Sequence, residues 1–477
     1  MGRNTLFSFI WKMLERISTQ LVQFVVQIVL ARLLMPEDYG IVAIVMILIS
    51  FASVFVQAGF NSALIQRKDA TNEDFSSVLY INLLMAFVLY IIIYLSSEVI
   101  ADFYKQPLLT NVLRVSSLTL FFSAVNSVQY AYISKRLEFK KSFYSYFVAV
   151  TLSGFAGIIL AINGFGVWAL VVYQLLNNIL ICIIMWLTVK WRPVRTFSIS
   201  RIKILFTYGW KIFFAHMIDA IYKEVQYIFL GKIATPEVLG YYSRGMQFPG
   251  MFVRNINDTI KTVLLPMYSK EQEDNLKVKT MLRISIGSIS YIVFPIMVGM
   301  AVVAEPMIKL LLTDKWLPAV PFVQIFSASY ALSSLMSSNG QAINSVGRSD
   351  IYLKIILGKI LFIILSLPIA LKLGVYAVAL STLFADLLGI FLTFKPNRAL
   401  FNYTIKEILL DIIPSLGIAL LMGAIVYLIS FAIDSALYQL ITQVVVGILS
   451  YIIMSRIFKL KEYSQLIEMI KTIKQSS

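Results

Sequence analysis

The chain has 477 residues, of which 59% are hydrophobic and only 14% charged, and its formal net charge is +16. Soluble domains carry about 25% charged residues, so this composition and a mean hydropathy of +0.81 exclude an ordinary soluble enzyme and point to a polytopic membrane protein. One cysteine, Cys182, lies in an apolar run, which excludes an intramolecular disulfide and a thiolate metal cluster.

A helix needs about 20 apolar residues to cross a hydrocarbon core of roughly 30 Å. Such segments fall near 12–34, 40–64, 77–99, 109–133, 143–163 and 166–188. The first continues to Leu34 without a small-residue cleavage site, so it reads as a retained span rather than a signal peptide. After a basic linker they resume near 207–231, 239–264, 281–303, 321–344, 350–371, 375–395, 408–430 and 436–457. The predicted fold class is therefore an all-α integral membrane protein of about 14 transmembrane helices.

The loops agree with that count. With the N-terminus inside, the inner connections hold Arg67–Lys68, Lys135–Arg136–Lys140–Lys141, Lys190–Arg192–Arg195–Arg201–Lys203, Lys270–Lys277–Lys279–Arg283, Arg348–Lys354 and Lys395–Arg398–Lys406. The outer loops hold only Arg32, Lys105, Lys232, Lys309 with Lys315, and Lys372. Basic residues collect on the cytoplasmic side of membrane proteins. The alternation therefore predicts both termini in the cytoplasm and accounts for most of the +16 without nucleic acid.

The seventh segment is the unusual one. Tyr208 to Lys232 is long enough to span, yet carries Lys211, the only histidine (His216), Asp219, Lys223 and Glu224. Each ionisable group near a bilayer centre costs roughly 2.5–3.5 kcal/mol. His216, Asp219, Lys223 and Tyr227 follow at helical steps, so they share a face, and that face is expected to line an aqueous cavity.

An internal repeat places this segment. Residues 31–40 read ARLLMPEDYG and residues 231–240 read GKIATPEVLG, with Pro36, Glu37 and Gly40 matching Pro236, Glu237 and Gly240 at an offset of 200. Gly166–Val167–Trp168–Ala169–Leu170 resembles Gly374–Val375–Tyr376–Ala377–Val378 at a similar offset. The expected organisation is a six-helix bundle 1–188, a basic cytoplasmic linker 189–206, a six-helix bundle 207–398, and two further helices with a tail over 399–477. Parallel repeats of this kind suit alternating access around a central site.

The repeat maps the charged stripe onto Arg16, Thr19, Gln23 and Gln27 of the first span. The second span carries Ser50, Ser53, Gln57 and Asn61 at helical spacing. The eighth carries Gln247, Arg254, Asn257 and Lys261, with Arg254 and Asp258 as an i,i+4 pair. The simplest geometry turns these four helices toward one cavity. Two plainer readings stand beside it: such stripes also serve as hydrogen-bond glue between helices, and Lys211 and Lys261 lie close enough to helix ends to snorkel. Lys359 and Asp386, inside two late apolar runs, form either a structural ion pair or part of a transport pathway. Enzyme chemistry finds no support, because there is no G-x-S-x-G elbow, Walker A sequence or Rossmann fingerprint. No catalytic residue, metal site or cofactor is predicted.

Several motifs together resemble one family. They are ARLLMPEDYG, Gln57 to Asp69 (QAGFNSALIQRKD), Arg136–Leu137–Glu138–Phe139–Lys140 and Gly164–Phe165–Gly166–Val167–Trp168. Leu239–Gly240–Tyr241–Tyr242–Ser243–Arg244, Lys315–Trp316–Leu317–Pro318–Ala319 and Gly347–Arg348–Ser349–Asp350 continue the pattern. They resemble the polysaccharide exporters of the Wzx type, in the colanic-acid and teichuronic-acid group of the multidrug/oligosaccharidyl-lipid/polysaccharide (MOP) superfamily.

The resemblance implies two helical bundles in a V, with the first, second, seventh and eighth helices lining the cleft. It also implies a flippase of the bacterial cytoplasmic membrane that moves an undecaprenyl-diphosphate-linked oligosaccharide for O-antigen, capsule or exopolysaccharide synthesis. Polysaccharide polymerase and chain-length machinery are the implied partners, alongside membrane lipids. On that reading Arg16, Lys223, Arg244 and Arg254 are candidates for the diphosphate, which needs cationic partners. Gln23, Gln27, Gln57 and Asn257 are candidates for the sugars, and His216, Asp219, Asp258 and Asp386 for proton or ion coupling. A lipid II-type flippase, a drug exporter of the MATE kind and a membrane scaffold of an export complex are the alternatives.

Overall fold

The computed structural model describes the backbone of residues 3–465 and 468, and their side chains except those of residues 3–6, 9 and 223. The described residues fold into helices joined by short turns. In order these are α1 (Arg3–Leu33), α2 (Pro36–Gln57), α3 (Phe60–Gln66), α4 (Asn72–Tyr104), α5 (Leu108–Ser116), α6 (Thr119–Arg136), α7 (Phe139–Ile162), α8 (Val167–Thr188) and α9 (Ile199–Ile233). Then follow α10 (Pro236–Lys270), α11 (Asn275–Val302), α12 (Ala304–Leu312), α13 (Val320–Ser345), α14 (Ser349–Leu373), α15 (Val375–Phe401), α16 (Ile405–Ile429) and α17 (Ala436–Ile457).

Among the described residues, 13 helical segments are long and apolar enough to cross a membrane, judged by length and composition. The difference from the expected count of about 14 lies in α10. It has the length, at 35 residues, but Arg244, Gln247, Arg254, Asn257, Asp258 and Lys261 keep it too polar, and Pro249 and Pro266 interrupt its hydrogen bonding. Leu95, Leu187 and Leu373 are more than 70% exposed on other helices. In water such surfaces would aggregate; against lipid tails they cost nothing.

Packing divides the chain into two units, Met1–Gly240 and Tyr241–Ser477. In the first, α7 packs against α1 and α8, and α9 packs against α2, α3 and α4. The first helix of the second repeat is thus held by the first unit. Its approach is strapped down by the linker before it. The Ser76 hydroxyl accepts from the Val194 amide (2.9 Å), the Ser77 hydroxyl accepts from the Ser198 amide (3.1 Å), and the Tyr80 hydroxyl donates to the Val194 carbonyl (3.0 Å). Asp74, fully buried at the capping box that starts α4, takes Arg67 at 3.5 Å and Arg201 at 3.2 Å. Arg67 also bonds Asp69 in the preceding turn, and that hydrogen bond holds the Asp69 carboxyl below its usual range. Arg201 of the linker thus pairs with fixed carboxylates, Glu73 and Asp74, at the start of α4.

The first unit also buries a charge that helical spacing does not reveal. Glu15 is 7% exposed on α1, accepts from Lys12 at 2.5 Å, and accepts from the Ser142 hydroxyl of α7. Lys12 in turn lies 4.9 Å from the Tyr130 ring centroid.

In the second unit α11 is the central helix, packed against α13 and α16, with α15 between α13 and α14. α17 lies on α12 and α16, and the Tyr451 hydroxyl donates to the Tyr291 carbonyl (2.9 Å). Arg283 grips Asp411 through two 2.8 Å hydrogen bonds, and Lys279 meets Glu407 at 2.9 Å, which fixes the start of α16 to α11. The last two helices are thus integral to this unit. Between them, α10, α11 and α12 runs an apolar groove of about 510 Å³ lined by Phe252, Pro295, Met300, Met422, Gly447 and Ile448, among others.

Candidate functional site

Two polar helix faces meet inside the first unit. α2 ends after Gln57, where Ala58 (φ 41°) and Gly59 (φ 73°) both take left-handed backbone and turn the chain into α3. A side chain at Gly59 would overlap the Gly209 carbonyl, so glycine is what lets α9 approach this turn. Just past that approach the helices part around a cavity of about 310 Å³.

Its described lining is Ser50, Ser53, Val54 and Gln57 of α2, Gly59 and then Asn61 and Ser62 of α3, and His216, Asp219, Ala220 and Glu224 of α9. The Ser50 hydroxyl donates to Glu224 Oε1 at 3.2 Å and to the Ile47 carbonyl at 2.8 Å. Beside it Phe55 of α2 and Phe213 of α9 meet edge-on with ring centroids 5.2 Å apart. The Asn61 Oδ1 is buried without a protein hydrogen-bond partner.

Of the residues singled out from sequence, Ser50, Ser53, Gln57, Asn61, His216 and Asp219 meet in this cavity. Glu224 joins them from just off the expected stripe, because the face of α9 that lines the cavity runs through His216, Asp219, Ala220 and Glu224. Tyr227, expected on that face, is instead buried at 6% exposure. The Lys223 side chain lies outside the described residues. Arg16 is exposed and Gln23 and Gln27 half-buried on α1, away from this lining. Arg244, Arg254, Asn257 and Asp258 belong to α10 in the second unit. There Arg244 is buried and donates to Gln247, Arg254 and Asp258 are exposed, and Asn257 keeps its Oδ1 buried without a partner.

Asp386 has a different setting. It is 3% exposed on α15, takes the Lys359 ammonium of α14 at 2.6 Å on one oxygen, and accepts from the Ser329 hydroxyl of α13 on the other. A Cβ at Gly389 would come within 2.8 Å of the Lys359 stem and 2.7 Å of Met336 Sδ, so the glycine one turn on makes room for the lysine. The pair foreseen as one of two possibilities is formed, and it joins three helices.

The comparisons with known proteins point one way. A family model described as "Polysaccharide biosynthesis protein" matches residues 29–321. The teichuronic acid biosynthesis protein TuaB of Bacillus subtilis (strain 168) is 28% identical over 305 residues, which is 63% of this chain and 63% of that protein. The chain thus matches a little under two thirds of that relative's length. The lipopolysaccharide biosynthesis protein WzxC of Escherichia coli (strain K12) is 23% identical over 332 residues, 68% of this chain and 67% of that one. Among solved structures, the lipid II flippase MurJ in its inward closed conformation aligns with a TM-score of 0.76 at 18% identity, covering 96% of this chain and 100% of that chain. An inward-facing MATE family transporter of the MOP superfamily aligns at 0.60 with 15% identity, covering 80% and 95%. At these identities the structural likeness establishes the fold, an all-helical one shared with MurJ and MATE transporters.

Proposed function

Since this chain belongs to the polysaccharide biosynthesis protein family, we propose that it is a flippase that carries an undecaprenyl-diphosphate-linked oligosaccharide across the bacterial cytoplasmic membrane by alternating access. The observation that carries the reading is a cavity lined by hydroxyls, amides and carboxylates inside a bundle of membrane-length helices. Polar groups there are expensive unless they face water or a polar cargo. The sequence relatives are polysaccharide proteins, which favours this cargo over lipid II or a drug.

On this reading the protein works as a transporter without catalytic residues, with both termini in the cytoplasm, and supplies a polymerase with lipid-linked units. Arg16, Lys223, Arg244 and Arg254 hold the diphosphate, because a doubly charged group leaving water requires cationic partners. The prenyl tail stays in the lipid, and the apolar groove of the second unit offers it a surface.

Deleting the gene should make lipid-linked oligosaccharide accumulate and surface glycan disappear. Wild type should clear the accumulation and restore the glycan, whereas Arg254→Gln and Lys223→Gln should insert in the membrane normally and fail to export. Normal surface glycan without accumulation in the deletion strain would defeat the reading. An imidazole can take up and release a proton, so His216→Gln tests proton coupling separately. Export that keeps its wild-type dependence over about pH 5–8 would make His216 a structural or sugar-binding group.

A further inference from the structure

Residues 189–198, between α8 and α9, are non-helical, yet their course is fixed. Trp191 is buried against Phe75 of α4 and Tyr132 of α6. Hydroxyls of α4 then satisfy the main chain that follows. Ser76 and Ser77 accept from the Val194 and Ser198 amides, and Tyr80 donates to the Val194 carbonyl.

Those contacts set the depth of the stretch. α4 has 33 residues, which is about 50 Å at roughly 1.5 Å per residue. A hydrocarbon core of roughly 30 Å centred on it leaves about 10 Å of helix beyond each face. Ser76 and Ser77 lie in that overhang and Tyr80 at its edge, so the stretch runs at the level of the lipid headgroups. Backbone groups near lipid need protein partners, and the α4 hydroxyls are those partners.

The surface turned outward is both apolar and basic. Phe197 is 51% exposed and Ile199 62%. Lys190, Arg195 and Lys203 are exposed beside them, and none of the three makes an ion pair or side-chain hydrogen bond with another described residue. Arg201, on the inner face of the same first turns of α9, is paired with Glu73 and Asp74. Ile199 and Lys203, four residues apart, share the opposite face.

We propose that this stretch is a docking strip for anionic phospholipid. Lys190, Arg195 and Lys203 take headgroup phosphates, while Phe197 and Ile199 enter the edge of the acyl layer. Charge complementarity and depth select the occupant, because a leaflet presents negative phosphates and apolar chains at one level. An acidic protein would match the cations and leave Phe197 and Ile199 in water. The inference stands on the chain being a membrane protein and is independent of its cargo.

The test uses the full-length chain with Cys182→Ser and Thr196→Cys, labelled at position 196 with an environment-sensitive fluorophore, in uncharged detergent. The probes are dihexanoyl phosphatidylglycerol, dihexanoyl phosphatidylcholine and a short polyglutamate peptide. The parent should bind the glycerol lipid on the order of a hundredfold tighter than the choline lipid, from three charges at about fivefold each. Lys190→Gln, Arg195→Gln and Lys203→Gln should each remove about fivefold, and together the whole preference. Phe197→Ser with Ile199→Ser should weaken both lipids about tenfold. Lys372→Gln, an exposed lysine at the end of α14, should change nothing. All variants should unfold at the parent's temperature, since none of the replaced side chains is buried.

A preference that survives the triple Gln change overturns the strip. So does an equal loss on Lys372→Gln, which would make the preference an effect of net charge. A label that answers polyglutamate more strongly than the glycerol lipid reassigns the surface to an acidic protein and overturns the lipid proposal, and silence toward every probe overturns it as well. Export enters none of these readouts, so the flippase reading is tested apart from them.

Discussion

Asp386→Ala should be among the most destabilising single changes in the second unit, at a cost of about 3–5 kcal/mol. The reason is what it leaves behind. Lys359 is 6% exposed and its ammonium meets Asp386 at 2.6 Å, so removing the carboxylate takes the ion-pair partner from a buried positive charge. Lys359→Ala should cost a similar amount by stranding the carboxylate, softened by the Ser329 hydroxyl that remains as a donor. Thermal unfolding in detergent should show both losses clearly. Replacing both partners with apolar residues, as Lys359→Met with Asp386→Leu, should return stability to within about 1 kcal/mol of wild type, because desolvating an ion pair offsets most of its attraction.

The double variant also separates structure from transport. If it is stable and exports normally, Asp386 serves the packing of α13, α14 and α15. If it is stable and export stops, Asp386 takes part in coupling. A double variant as unstable as the singles would show that the pair contributes far more than its desolvation cost, against the argument above.

How much of this was legible in sequence depends on what each feature needs. Helix positions were, because a span requires only a local run of apolar residues, and the loops between runs carry their own charge code. The exceptions have local causes. Around Ser117 the run expected at 109–133, still one membrane-length segment, breaks into α5 and α6, and α10, expected as a span at 239–264, is helical there but more polar than the other spans.

The cavity was half legible. Gln57, His216 and Asp219 stand out because a polar side chain in an apolar helix is conspicuous wherever its partner lies. Their convergence was not legible in detail. It depends on the angle at which α9 approaches the α2–α3 turn, which the glycines at 59 and 209 permit. That angle turns Glu224 into the cavity while Tyr227 goes into the packing. Glu15 was invisible for a related reason. Its partner Lys12 is local, but Ser142 comes from α7, 127 residues away, and no spacing rule reaches that far.

The repeated Pro-Glu-x-x-Gly motif should be the place where the smallest substitution has a very large effect. The two copies lie face to face within the first unit. A Cβ added to Gly40 would overlap the Pro236 carbonyl, and one added to Gly240 would overlap the Pro36 carbonyl. The repeat thus marks a reciprocal contact in which each glycine receives the other copy's backbone. Overpacked side chains relieve their strain by changing rotamer, at about 1–3 kcal/mol. Backbone carbonyls in the first turns of α2 and α10 have no rotamer to change. Gly40→Ala and Gly240→Ala should each cost at least the top of that range, about 3 kcal/mol, and reduce export by more than their loss of folded protein explains. Once one alanine has pushed the helix starts apart, the second has less contact to destroy. The double variant should therefore fall short of additivity by about 0.5–3 kcal/mol. Gly417, in α16, is the control, since a Cβ there meets nothing within 4 Å. Gly417→Ala should be neutral or stabilise by up to about 1 kcal/mol through helix propensity. If Gly40→Ala and Gly240→Ala unfold and export like Gly417→Ala, the motif is a sequence repeat without a mechanical role.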